Sequence, residues 1–177
     1  EIENGRYRLA KVFSGLNWNP DLRAPLTEPG VNVQEGDYLL AVDGRELTGD
    51  ENVYAFFENT SGKQVTLTVN AQPSLSGARE VTVVPIARDH ALRYEAWVRA
   101  NRRKVDKLSG GRVGYIHVPD MGRHGLNEFM KHFYPQIRKK ALIIDVRGNG
   151  GGNVSPMLIE RLRREIVMID FARNTAP

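Results

Sequence analysis

The residues best suited to chemistry form a glycine-rich turn, Arg147–Asn153, which reads Arg-Gly-Asn-Gly-Gly-Gly-Asn. It follows the apolar run Ala141–Val146 and opens Asn153–Arg164, whose apolar residues recur at helical spacing. Glycines allow positive φ values and leave no side chain to block a ligand. Amides of the turn and the helix start then point at one spot, reinforced by the helix dipole. The stretch Ala141–Leu162 is therefore predicted to bind an anion, either a phosphate, a carboxylate or the oxyanion of acyl transfer.

Two other chemistries and one structural role compete for this turn. A nucleotide-binding P-loop would need Gly-Lys-Ser or Gly-Lys-Thr, which does not follow here. In a dinucleotide fingerprint, Gly148 and Gly150 fit the first two glycines, but Asn153 occupies the third place. Four glycines could also simply make a tight turn. Nucleotide binding and the tight turn stay open as alternatives to the oxyanion.

Composition narrows the function classes. The chain has 177 residues, 41% hydrophobic and 26% charged, with a net charge of +4, as expected for one large or two small globular domains. No cysteine is present, which excludes disulfides, thiolate zinc sites and cysteine nucleophiles, and favours a cytoplasmic location. No apolar run approaches a membrane span. A basic cluster lacks aromatic partners, so nucleic-acid binding is not predicted; it comprises Arg99, Arg102, Arg103 and Lys104.

The first half alternates strands with turns and a short helix. Its long loop, residues 14–33, is expected to be anchored by Trp18 and Leu22. This order predicts a small, partly open barrel over residues 1–90. The predicted elements are the strands Tyr7–Phe13, Asp37–Val42, Val65–Val69 and Arg79–Ile86, and the helix Glu51–Asn59.

The composition of the chain changes in its second half, which begins with a charged helical linker over residues 91–111. Residues 112–177 then predict an α/β core in β-α-β-α-β order, with a parallel sheet. A sheet of three strands leaves an exposed edge, so this core is predicted to be incomplete. The elements are the strands Arg112–Val118, Ala141–Val146 and Ile166–Ala172, and the helices His124–Arg138 and Asn153–Arg164.

Two motifs in one order resemble a known family. Pro29–Gly44 resembles the central signature of a PDZ domain, and Asn17–Arg23 resembles the tricorn branch in particular. Downstream, Arg112–Ile116 and Leu142–Gly152 resemble the core of tricorn and C-terminal-processing serine peptidases. The resemblance covers nearly the whole chain and implies an α+β, PDZ-like partly open barrel followed by the first part of a peptidase core.

That resemblance implies a serine-type endopeptidase that forms an acyl-enzyme without metal or cofactor. The implied partner is a peptide or unfolded-protein substrate, and the implied intact form is a homo-oligomer. Gly150, Gly151 and Gly152 would contribute a backbone donor to the oxyanion hole. The family's serine lies after the position of Pro177 and its histidine before Glu1, so the chain alone is expected to be inert.

Other side chains receive lesser roles. Ser155 is expected to satisfy a free amide at a helix start rather than act as a nucleophile. The four histidines are expected to be packing or surface residues, with no metal site. Asp170 occupies a position compatible with holding basic substrate side chains in the tricorn branch, and a solvent-facing strand Asp is the alternative.

The PDZ-like half would bind a peptide strand beside Tyr7–Phe13, against the helix Glu51–Asn59. Tyr7, Leu9 and Val12 are the candidate contacts there. The competing function is a non-catalytic peptide-binding or scaffolding module.

Overall fold

The chain divides into two compact units, Glu1–Trp97 and Val98–Pro177. The computed structural model describes residues 1–164. The predicted strand Ile166–Ala172 and the candidate Asp170 lie outside the described residues. One helix, His90–Ser109 (α1), crosses the boundary between the units. The predicted domain bounds and the separate linker stay predictions.

The first unit is built on an antiparallel sheet. In the described residues the strand order is β1-β2-β3-β5-β6, and β4 pairs with β3. The pairing of β3 with β5 shifts register between Leu39 and Ala41, which marks an irregularity in the ladder. The strands are β1 Ile2–Glu3, β2 Arg6–Arg8, β3 Tyr38–Val42, β4 Arg45–Glu46, β5 Val65–Asn70 and β6 Arg79–Val83.

The position of each strand in the sheet and the alternation of its side chains explain which residues are buried. All five residues of β3 are buried, in keeping with its place between neighbours on both sides. Strand β5 alternates buried and half-buried residues, so Val65, Leu67 and Val69 enter the core. Leu40 and Leu47 are fully buried in this unit. Burial of a large aliphatic side chain contributes about 1.5–3 kcal/mol, so these aliphatic residues stabilise the unit.

Three predicted elements of this unit are wrong in extent or type. The strand over Arg79–Ile86 ends at Val83. The helix over Glu51–Asn59 is a 3-10 turn at Val53–Phe57, which the Asn52 side chain caps by accepting from an amide and Asn59 follows at φ +59°. The strand over Tyr7–Phe13 spans only Arg6–Arg8. Beyond Leu9 the ladder stops, and the Val12 amide donates to the Glu35 carboxylate instead of a strand carbonyl.

The long loop is held by its own polar groups. Asn17 accepts from the Ala24 amide at 2.8 Å and donates to the Thr27 carbonyl at 3.0 Å. Trp18, predicted to anchor the loop, is 80% exposed. The side-chain amide of Asn17 therefore holds the loop in place of the predicted apolar ring.

The second unit contains a parallel strand pair with two following helices. The predicted alternation is confirmed through β8, with Val113 opposite Ala141 and His117 opposite Asp145. Pro135 lies in a 3-10 turn, Tyr134–Gln136, that takes over where the second helix ends. The elements are β7 Val113–His117, α2 Arg123–Phe133, β8 Ala141–Asp145 and α3 Ser155–Arg163.

The core of this unit is small. Phe129, Ile116 and Val118 are fully buried, and Leu158 of α3 joins them. The Phe129 ring stacks on Phe133 with centroids 5.0 Å apart. The structure thus combines helices with an antiparallel and a parallel sheet. The partly open barrel predicted for residues 1–90 stays a prediction.

Candidate functional site

The glycine turn lies where β8 ends and before α3 begins. Gly152 has φ +139°, and an added Cβ there would lie 2.2 Å from the carbonyl oxygen of Met121. This glycine is therefore required by the close approach of the β7–α2 loop. Gly150 differs, because its φ is outside the left-handed region and an added Cβ would meet no atom within 4 Å. No feature of the described structure requires glycine at position 150.

The amides of the turn fall into two groups. The Asn149 amide donates to the Val146 carbonyl at 3.1 Å, and the Gly151 amide donates to Asn149 Oδ1 at 2.8 Å. Within residues 1–164, no acceptor is found for the amides of Gly150 and Gly152. Of the three predicted donors, Gly151 is therefore already engaged, and Gly150 and Gly152 are the amides open to an anion.

The direction of the Gly152 amide follows from peptide geometry. The Gly151 carbonyl accepts from the Met121 amide at 2.8 Å. In a trans peptide the following N–H points opposite to that carbonyl, and no cis peptide bond occurs in the described residues. The Gly152 N–H consequently points away from Met121.

A hydrogen-bonded network fixes the residue that begins the turn. Asp145, 8% exposed at the end of β8, accepts from the Tyr115 hydroxyl at 2.6 Å. The Arg147 guanidinium donates to both Asp145 oxygens, and the Arg147 amide donates to Oδ1 at 3.0 Å. His117 Nε2 lies 2.8 Å from the Arg147 carbonyl, so this nitrogen carries the proton.

This network shifts the pKa of its members in opposite directions. Hydrogen bonds from Arg147 and Tyr115 hold the pKa of Asp145 well below its usual range, against the cost of burial. Burial, followed by the Asp145 contact, raises the pKa of Tyr115 to about 12. The network therefore stays as a carboxylate, a neutral phenol and a guanidinium across the physiological range.

The β7–α2 loop supports the turn from the other side. Asn149 Nδ2 donates to the Val118 carbonyl at 2.9 Å, and Met121 pairs with Gly152 as an isolated parallel bridge. Asp120 in turn holds the loop, because its Oδ1 accepts from the amides of Gly122 at 2.7 Å and Gly125 at 3.0 Å. These contacts lower the pKa of Asp120, with the two backbone bonds as the main causes.

A cavity of about 580 Å³ lies beside the network. Its wall combines the polar network with an apolar strand face and one helix, α1. Ile143, on that face, is 45% exposed. The polar lining comprises Asn101, Lys104, Tyr115, Asp145 and Arg147.

The histidines and the candidate serine are not brought together as a pair. His117 is 4% exposed and bound to Arg147, whereas His124 lies 3.2 Å from Asp120 and His132 lies 3.3 Å from Glu128. Ser155 is the first residue of α3, but its hydroxyl forms no hydrogen bond to a described residue, which corrects its expected capping role. In residues 1–164 no group of three or more His, Asp or Glu side chains could hold a metal ion.

The predicted peptide-binding residues of the first unit are Tyr7, Leu9 and Val12. The outer edge of β2 already pairs with β1, Ile2 opposite Tyr7, so strand addition along Arg6–Arg8 is blocked by the chain itself. The Tyr7 hydroxyl donates to the Glu51 carbonyl at 2.6 Å. Leu9 lines an apolar cavity of about 350 Å³, together with Leu26, Val33, Val53 and Phe57.

Two family models match the chain in tandem. The model described as "Tricorn protease PDZ domain" matches residues 1–88, and "Peptidase family S41" matches residues 112–164. A Streptomyces coelicolor protein named "Tricorn protease homolog 1" is 39% identical over 99% of this chain. The chain belongs to the tricorn protease family. "Tricorn protease" from Thermoplasma acidophilum is 33% identical over 98% of this chain.

A solved structure agrees with this membership. "Crystal structure of the tricorn protease" superposes with a TM-score of 0.82 and 32% identity, and covers 99% of this chain. The match takes in 17% of that crystallised chain, and 16% of each of the two curated relatives. This chain thus spans about one sixth of the length of its tricorn relatives. In the described residues, no helix is both long and apolar enough to cross a membrane.

The place of the turn between a strand and a helix was predicted from the sequence, and its binding of an anion stays a prediction. The Tyr115–Asp145–Arg147 network was missed. Strand alternation puts Tyr115 and His117 on one face of β7. Asp145 ends an otherwise apolar strand. An acidic residue at the buried end of such a strand, two residues before an arginine, was the available signal.

Proposed function

We propose that this chain supplies the oxyanion-binding turn of a serine-type endopeptidase, which hydrolyses peptide bonds through an acyl-enzyme. The proposal rests above all on one observation: Gly150 and Gly152 present amides without an acceptor in the described residues, between a buried strand end and a helix start. Membership of the tricorn family supports peptide-bond hydrolysis as the reaction.

In this reaction a serine oxygen adds to the peptide carbonyl carbon, and the carbonyl electron pair moves to its oxygen. The Gly150 and Gly152 N–H groups would donate to that oxyanion. Such donors are fixed before the reaction and need no reorganisation, and removal of one typically costs about 3–4 kcal/mol of transition-state stabilisation. The histidine of the mechanism takes the serine proton and gives it to the leaving nitrogen. Collapse then breaks the C–N bond, expels the amine and forms the acyl-enzyme, which water hydrolyses.

The serine and histidine of this mechanism are proposed to lie outside these 177 residues. Support comes from three of the four histidines, since His117, His124 and His132 are engaged with a backbone carbonyl or a carboxylate. The polypeptide of residues 1–177 alone is therefore expected to be inert. Asp170 remains a proposed contact for basic substrate side chains.

The test uses the full-length protein that contains this segment. A fluorogenic peptide measures hydrolysis, and a serine-reactive probe with mass spectrometry locates the nucleophile. We expect turnover and one labelled serine outside residues 1–177. Folded protein that neither hydrolyses nor labels would refute the peptidase, and labelling at Ser155 would refute the division of roles.

A second function, peptide binding by the first unit, is favoured by the apolar cavity that Leu9 lines. Because β1 covers the edge of Arg6–Arg8, the peptide would contact the chain from Leu9 to Val12. Fluorescence anisotropy with labelled peptides tests this. Leu9→Glu should abolish binding and Gly150→Leu should preserve it, whereas binding that survives Leu9→Glu would refute this site.

A further inference from the structure

The first residue of the glycine turn is tied at three places. The Arg147 amide and guanidinium both donate to Asp145, and its carbonyl accepts from His117 Nε2. Gly148, which follows, has φ +71° and no neighbour within 4 Å of an added Cβ, so side-chain packing does not fix it.

The anchors belong to rigid elements. Tyr115 and His117 are residues of β7, and Asp145 is the last residue of β8, directly opposite His117 in the parallel register. All three are at most 8% exposed. A bidentate arginine–carboxylate pair is stronger and more directional than a neutral hydrogen bond. The position of the turn relative to the strand ends is therefore set by this network.

The tyrosine hydroxyl orients the carboxylate. Asp145 Oδ2 accepts from Tyr115 at 2.6 Å, and the Arg147 amide binds the other oxygen, Oδ1. With both oxygens engaged, rotation of the carboxylate would break several bonds at once. Loss of the hydroxyl leaves Asp145 held mainly by the guanidinium, whose side chain is 68% exposed. Surface arginines reorient at little cost.

We infer that Tyr115, Asp145 and His117 are positioning residues that hold Arg147 so that the Gly150 and Gly152 amides meet the oxyanion. This inference rests on the proposed function for its catalytic consequence. Its structural content, control of the turn by a network across two strands, does not depend on that function.

Full-length Tyr115→Phe and Asp145→Asn are the informative variants, because both nearly preserve shape. Tyr134→Phe is the matched control, since Tyr134 is 47% exposed and has no hydrogen-bonded hydroxyl within residues 1–164. Two readouts are made on each: kcat and KM for a fluorogenic peptide, and hydrogen exchange of residues 147–153 by mass spectrometry. Melting temperatures identify any variant that fails to fold.

We expect kcat to fall by about 10–10²-fold in both variants with KM within about twofold, because misplacement by 1 Å can cost about 10²-fold. Exchange at residues 147–153 should rise by roughly tenfold, as loss of one hydrogen bond predicts, and the control should change neither. An unchanged kcat, a rise in KM alone, or a fall in kcat without faster exchange would overturn the inference. If the wild type has no activity, the proposed function fails, and exchange alone decides whether the network holds the turn.

Discussion

The two units use their buried residues differently. In the first unit, β3 and β5 bury aliphatic side chains in a core that includes Leu47 and Val69. In the second, buried positions at the strand ends are occupied by His117 and Asp145, the two polar residues that are buried in the described chain. An unpaired buried polar group costs free energy. Their hydrogen bonding beside the glycine turn is the basis of our inference that buried residues of the second unit position this turn.

The largest expected effect is that of Gly152→Ala, which tests whether the turn depends on the β7–α2 loop. The new Cβ would lie 2.2 Å from the Met121 oxygen at φ +139°. Backbone strain and overpacking together should lower the free energy of unfolding by roughly 2–6 kcal/mol. Urea denaturation of the chain measures this, and a change below about 1 kcal/mol would contradict the close contact between turn and loop.

Leu40→Ala tests the other side of the comparison. Leu40 is fully buried, so its truncation should cost about 2–5 kcal/mol. Leu40→Ala should lower the stability of the first unit without any change in hydrogen exchange at residues 147–153. Faster exchange at the turn in the folded variant would show that the two units do not use their buried residues independently.

Tyr115 gives a smaller, pH-dependent effect. Because burial and Asp145 raise its pKa to about 12, its phenol should ionise about two units later than an ordinary tyrosine. Its contribution to stability is complete below pH 10 and is lost as pH rises through 12. Absorbance titration of the phenolates measures the late step, which Tyr115→Phe should remove. Ionisation of all six tyrosines near pH 10 would contradict a buried network.

The fold was predictable where one periodicity governed a segment. The alternation of Val65, Leu67 and Val69 identified β5, where burial follows side-chain spacing directly. The apolar run at Ala141–Val146 identified β8, although Asp145 is the buried residue of that strand. The 3-10 turn at Val53–Phe57 was not predicted, because helical apolar spacing does not distinguish a short 3-10 segment from an α-helix. Trp18 was misjudged because the loop is fixed by Asn17, whose contacts are not periodic.

The candidate site shows the same division. The glycine turn was visible because glycines in series have few structural uses. The sequence does not show which amides of the turn are already hydrogen-bonded, because the bond from the Gly151 amide to Asn149 Oδ1 depends on three-dimensional geometry. The same holds for Asp145, whose partner Tyr115 is 30 residues away in sequence.

Gly150→Leu is the most direct test of whether the Gly150 and Gly152 amides bind an oxyanion. It is also the variant with the smallest expected change in stability. Gly150→Leu places a side chain where the described structure has no atom within 4 Å of the new Cβ. We expect the free energy of unfolding to change by no more than about 1 kcal/mol. The substitution keeps the backbone N–H of residue 150, but the leucine side chain would occupy the space that the substrate carbonyl needs to reach it. In the full-length protein we therefore expect kcat to fall by about 10²–10³-fold, as much as for a lost oxyanion donor. Wild-type kcat in the folded Gly150→Leu protein would contradict this role for the turn.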